Sequence, residues 1–154
     1  MAIELKMNEI ATFVRRSSTG TESAVDLWAE FEKAIPAALT EFYAGLAEVP
    51  GFREHLSAPG QIDRLKAAQT EHWRSLFGPS LPSDVDSRST RIGEVHVKIG
   101  LPSGWYMAGY AFLLKKLLPE IARRHRFSAA RQAAVMDRLI ERVFTDMILS
   151  NTAY

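Results

Sequence analysis

The chain has 154 residues, one domain's length and enough to bury a single sizeable core. Nineteen basic residues against eighteen acidic ones leave a formal charge of +1, which gives no strong electrostatic footprint for nucleic acid or for an anionic membrane. With no cysteine, disulfides, thiol catalysis, thiolate zinc sites, iron–sulfur clusters and thioether-linked cofactors are excluded together.

No stretch approaches the roughly 18–20 apolar residues that a membrane span needs. The opening Met1-Ala2-Ile3-Glu4-Leu5-Lys6 mixes charge into what a secretory signal keeps apolar, so the expected compartment is the cytoplasm. Gly20, Pro50-Gly51, Pro59-Gly60, Gly78-Pro79 with Pro82, and Gly100 with Pro102 and Gly104 mark the breaks. Residues 5–16 form a short amphipathic lead with Leu5, Ile10, Phe13 and Val14. Residues 22–47 carry Val25, Trp28, Phe31 and Ile35, then Leu39, Phe42, Tyr43 and Leu46. Pro36 inside this run predicts two helices meeting there. Residues 61–77 place Ile62, Leu65, Gln69, His72, Trp73 and Leu76 on one helix face. Residues 84–99 follow, with Ser83 and Asp84 as expected caps. Residues 103–124 and 128–150 read as two long helices, the second capped by Ser128.

The segment 92–99 fits two periods. Val95, Val97 and Ile99 alternate as in a strand, while Ile92, Val95, His96 and Ile99 share a helix face. No second β-type run offers a partner, and a lone strand is not viable, so the helix is the reading adopted. The chain is therefore expected to be one all-α domain of seven or eight helices, without repeats.

Enzymatic signatures are absent: no glycine-rich phosphate loop, no His-Glu-x-x-His pair and no Gly-x-Ser-x-Gly elbow. That leaves four histidines. His55 lies near a break and reads as solvated. His125, in Arg123-Arg124-His125-Arg126, belongs to a solvated basic face at a helix end, where cations suit the helix dipole. His72 and His96 lie on apolar stripes. Each is either a core histidine bonded to a backbone carbonyl or a metal ligand. A helical domain holds haem through one inward imidazole in a large apolar pocket, and residues 39–46 and 62–76, with Tyr43 and Leu65 inward, offer the second wall. The residues alone leave both readings open.

The run Ile92-Gly93-Glu94-Val95-His96-Val97-Lys98-Ile99-Gly100-Leu101-Pro102, followed by Trp105-Tyr106 and Gly109-Tyr110, resembles the sensor globins of bacterial globin-coupled sensors. Glu41-Phe42-Tyr43 resembles their phenylalanine–tyrosine pair, and Arg64-Leu65-Lys66 stands where their distal helix faces the haem. The resemblance implies a globin-like fold with an extra N-terminal helix and long C-terminal helices over 103–124 and 128–150. It implies non-covalent haem b, with His96 as the proximal iron ligand through Nε2. Tyr43 is then the distal hydrogen-bond donor to O2, with CO and NO as further ligands. A phenol in an apolar pocket favours O2, whose bound form carries partial negative charge, over CO. Leu65 shapes the distal wall and Gln69 is a second distal donor. Phe42, Ile92, Val95 and Ile99 pack around the macrocycle. Trp105 and Tyr106 stand near its edge, their NH and OH serving a propionate or the proximal side. Lys98 pairs with a propionate or stays exposed. His72, on the face it shares with Leu65, is expected to pack or lie at the surface, with ligation of the iron on the distal side as the alternative.

The resemblance also implies a homodimer through helices 103–124 and 128–150. Their apolar residues (Leu113, Leu114, Leu117, Leu118 and Ile121, then Val135, Leu139, Ile140, Val143, Phe144, Met147 and Ile148) exceed what one internal face needs. The expected role is an O2 sensor, not itself an enzyme, that controls an output domain beyond residue 154 of the diguanylate cyclase type. The alternatives are a stand-alone globin with O2 or NO redox chemistry, or a haem-free helical dimerisation module.

Overall fold

The computed structural model describes residues 7–16 and 25–154. Among the described residues there are eight helices and no strand: α1 (Met7–Arg16), α2 (Leu27–Phe31), α3 (Ala34–Ala47), α4 (Pro50–Leu56), α5 (Gln61–Leu76), α6 (Val85–Lys98), α7 (Ser103–Arg124) and α8 (Ala129–Asn151). None of these helices is long and apolar enough to cross a membrane. The break expected at Gly20 lies outside the described residues, as do positions 5 and 6 of the lead helix and 22–24 of the next run.

Two local expectations are corrected. The helix junction near Pro36 falls two residues earlier, between Phe31 and Ala34. Pro36 then occupies the first turn of α3, where its missing N–H would have had no intrahelical partner. Asp84 does precede α6, but its side chain makes no cap bond. Its backbone (φ −99°, ψ 15°) is not the extended conformation that turns a carboxylate onto the first N–H groups, and the carboxylate lies 4.0 Å from Arg88 instead. The Pro50-Gly51 break also hides a short helix: Pro50 is the first residue of α4, a position whose N–H is not needed. Ser128 caps α8 as expected, its Oγ accepting from the Arg131 N–H at 3.1 Å.

The core runs between α2, α3, α5, α7 and α8. Phe31, Ile35, Leu76, Leu117, Ile121, Val135, Leu139 and Val143 are fully buried in it. Each such side chain contributes about 1.5–3 kcal/mol of transfer free energy. Basic side chains tie the helix ends. Arg142 of α8 donates to the Leu76 carbonyl at the end of α5, 3.0 Å away. The basic corner at the end of α7 is not simply solvated. His125 Nε2 lies 2.8 Å from Glu30, Arg124 donates to the carbonyls of Ala29 and Glu30, and α2 is thereby pinned to α7. The surplus of apolar residues on α7 and α8 is largely absorbed within the chain. Leu118, Ile140 and Phe144 remain 39%, 47% and 37% exposed.

Candidate haem pocket

The end of α6 explains the most specific stretch of the sequence. Gly100 adopts φ 77°, a left-handed backbone that glycine takes without strain. Its N–H bonds to the Val97 carbonyl at 2.9 Å, and the Leu101 N–H reaches back to the His96 carbonyl at 3.0 Å. This pair of bonds is the Schellman closure of a helix. Pro102 then starts α7 from an extended backbone. The Gly-Leu-Pro run therefore stops α6 within one turn of His96 and locks the histidine's own carbonyl.

His96 faces a cavity of about 760 Å3 walled by α3, α4, α5, α6 and α7, within the range of cofactor pockets. Its Nδ1 lies 2.7 Å from the Ile92 carbonyl, so Nδ1 carries the proton and Nε2 is left with its lone pair. Burial lowers the pKa of His96, against the opposing pull of the Ile92 bond, which keeps the imidazole neutral. The ring of Tyr106 supports it with centroids 4.8 Å apart.

The ten residues assigned to the pocket from the sequence line this cavity: Phe42 and Tyr43 from α3, Leu65 and Gln69 from α5, Ile92, Val95 and His96 from α6, Ile99 just past its end, and Trp105 and Tyr106 from α7. Tyr43 is buried, and Gln69 Nε2 donates to its hydroxyl oxygen at 2.5 Å. With its oxygen accepting from Gln69, the phenol retains its own proton for another acceptor. Burial raises its pKa and the Gln69 bond counteracts this only in part, so the proton stays on. Phe42 packs edge-on against Tyr43, and Phe52 of α4 packs edge-on against Trp105.

Lys98 is exposed and does not line the wall; the cation of α6 that does is Arg91. His55, also exposed, stands at the rim. Tyr106 turns away from the rim: its hydroxyl lies 2.8 Å from that of Tyr110, so it serves the His96 side. His72 lines the cavity too, but its Nε2 is bonded to Asp146 at 3.0 Å. Sequence reasoning missed Asp146, Ser89 and Tyr110. The signal existed, because Leu139, Val143, Asp146 and Ser150 share one α8 stripe, placing an acid in a buried register.

These residues fit an apolar planar cofactor that needs one imidazole. Val95 and Ile99, on the cavity wall beside His96, each keep 53% of their surface open, which an aqueous site would not favour. His96 Nε2 has no hydrogen-bond partner among the described residues, and its Nδ1–H is held by a backbone carbonyl, the usual support of a metal-bound histidine.

The family model for protoglobin matches residues 4–154. The globin domain of the Geobacter sulfurreducens globin-coupled sensor superposes with a TM-score of 0.79 at 19% identity, covering 98% of this chain and 99% of that one. The globin domain of E. coli DosC superposes at 0.76 in its ferric form and 0.73 in its ferrous form, at 23% and 22% identity, each covering 96% of this chain and 99% of the other. All three have the all-helical, globin-like fold described above.

Proposed function

The chain belongs to the protoglobin family, and from that premise we propose that it binds haem b non-covalently and serves as an O2-sensing domain of a globin-coupled sensor. The observation that carries the reading is His96, a neutral imidazole oriented by the Ile92 carbonyl with Nε2 unpaired on the wall of an apolar cavity. Bound there, a haem would supply an iron able to bind a diatomic gas, and His96 is the residue that would hold it.

The chain's own residues do the rest. His96 Nε2 would hold the iron through its lone pair, and the Nδ1 bond fixes the tautomer and the ring. Tyr43, its oxygen engaged by Gln69, presents its proton to the gas. Such a donor in an apolar site favours O2, on which negative charge develops, more than CO. Leu65 and Phe42 keep water from the distal side. Ile92, Val95 and Ile99 would pack against the macrocycle, Trp105 lines the same wall, and Arg91 is the wall cation that would suit a propionate. CO and NO bind the same position.

In this reading a second copy covers Leu118, Ile140 and Phe144 in an isologous contact of α7 and α8. A change at His96 then reaches an output domain through that bundle. A diguanylate cyclase is the output the sequence motif favours, and the domain itself is not an enzyme. The experiment is reconstitution of the purified protein with haem. A Soret band that disappears in His96→Ala supports the reading; no band in the unaltered protein refutes it.

A further inference from the structure

Asp146 is 1% exposed, on the same stripe of α8 as the fully buried Leu139 and Val143. A carboxylate at such a depth is costly unless donors surround it, and an apolar side chain would fill the position at no penalty. The donors come one from each of three helices that wall the cavity. His72 of α5 and Ser89 of α6 meet Oδ1 at 3.0 and 2.6 Å. Tyr110 of α7 donates to Oδ2 at 2.7 Å. Because Tyr110 gives its proton to Asp146, its oxygen accepts from Tyr106, the residue whose ring lies against His96. Burial alone would raise the Asp146 pKa. The bond and charge of His72, then the Ser89 and Tyr110 bonds, outweigh it and hold the carboxyl ionised.

We propose that Asp146 is the positioning residue through which α8 follows the proximal imidazole, a proposal that rests on the haem-sensor reading above. Two routes from α6 converge on one carboxylate. Ser89 and His96 lie on the same face of α6, seven residues apart, and Ser89 bonds Asp146 directly. His96 reaches it through Tyr106 and Tyr110. Between them, on the same face, Gly93 brings the backbone of α6 against the Ser150 carbonyl of α8. A shift of α6 along its axis therefore carries Ser89 directly and presses on Tyr106 through the His96 ring, and the Ser89–Asp146 bond is kept only if α8 moves with α6.

The test uses the haem-loaded ferrous protein and CO as the probe, reading amide hydrogen exchange over residues 142–151 with and without CO. In the unaltered protein CO changes exchange in this segment by about threefold or more, the size of a modest site-to-site coupling. In Asp146→Asn and Tyr110→Phe the Soret band and CO binding persist, and the CO-linked exchange difference falls to less than about half. Variants that melt at lower temperature yet keep the full CO-linked difference make Asp146 a stabilising residue only and overturn the proposal. So does an unaltered protein that binds CO with no change in α8. If Asp146→Asn does not fold, Tyr110→Phe and Ser89→Ala, each removing one of the bonds to Asp146, decide by the same criterion. A protein that takes up no haem at all refutes the sensor reading itself, a distinct result seen in the absorption spectrum before any exchange is measured.

Discussion

Gly93→Ala tests the crossing of the proximal helix over α8. A Cβ built on Gly93 would stand 1.9 Å from the Ser150 carbonyl oxygen, 2.8 Å from its carbon and 3.1 Å from the Ala153 Cβ. Ordinary contact begins near 3.4 Å, so the two backbones must separate by 3.4 − 1.9, about 1.5 Å. The obstacle is backbone on both sides and no rotamer change relieves it. Overpacking of this kind costs about 3 kcal/mol. Alanine returns about 1 kcal/mol through its better helix propensity. The net loss of about 2 kcal/mol lowers Tm by about 4–8 °C in a domain of this size. Thermal unfolding followed by far-ultraviolet circular dichroism, with and without haem, reads the effect. The lesion lies three residues from His96, so the haem-loaded variant should also show a displaced Soret maximum. A variant that melts at or above the unaltered protein refutes the close crossing of α6 on α8.

Tyr43→Phe removes the proposed distal donor and should speed O2 release by roughly 10–150-fold, the worth of a hydrogen bond to a charged acceptor, with a much smaller effect on CO; flash photolysis that finds equal effects on both gases argues against the role. Asp146 is held below its ordinary carboxyl value, so the unfolded chain takes up a proton near pH 3.8 while the folded chain resists until lower pH. Its contribution is therefore present above that value and lost as the pH falls through it, and the stability gap between the unaltered protein and Asp146→Asn, followed by urea titration, should narrow below about pH 4. If the proposed dimer forms through α7 and α8, Ile140→Glu with Phe144→Glu should shift sedimentation from dimer to monomer; an unaltered protein that sediments as a monomer, or a dimer that persists in the variant, refutes that interface.

The helical architecture was legible because its signals are local. Ser128 supplies an N-cap within its own turn. Gly100 and Leu101 end α6 through bonds that reach back three and five residues, and Pro102 follows at once. The ambiguous segment 92–99 resolved as a helix because no second strand could pair with it. Where local signals competed, reading failed. Pro36 looks like a breaker and sits in a first turn, Asp84 looks like a cap and pairs with Arg88, and His125 looks solvated and binds Glu30 from 95 residues away.

The candidate pocket divides along the same line. The sequence alone determined which side chains face inward, since the helical period sends His96, Ile92, Val95 and Ile99 to one side of α6 and Tyr43 and Leu65 to the inner faces of their own helices. It could also exclude covalent attachment, because there is no cysteine to form it. Only the tertiary structure decided which polar atoms meet. Gln69 on Tyr43, His72 on Asp146 and the tyrosine pair behind His96 join residues 4 to 74 positions apart, and their partners are chosen by how the helices cross. That crossing is set by packing, down to a single missing methyl group at Gly93, and packing is a property of the whole core that no single helix encodes.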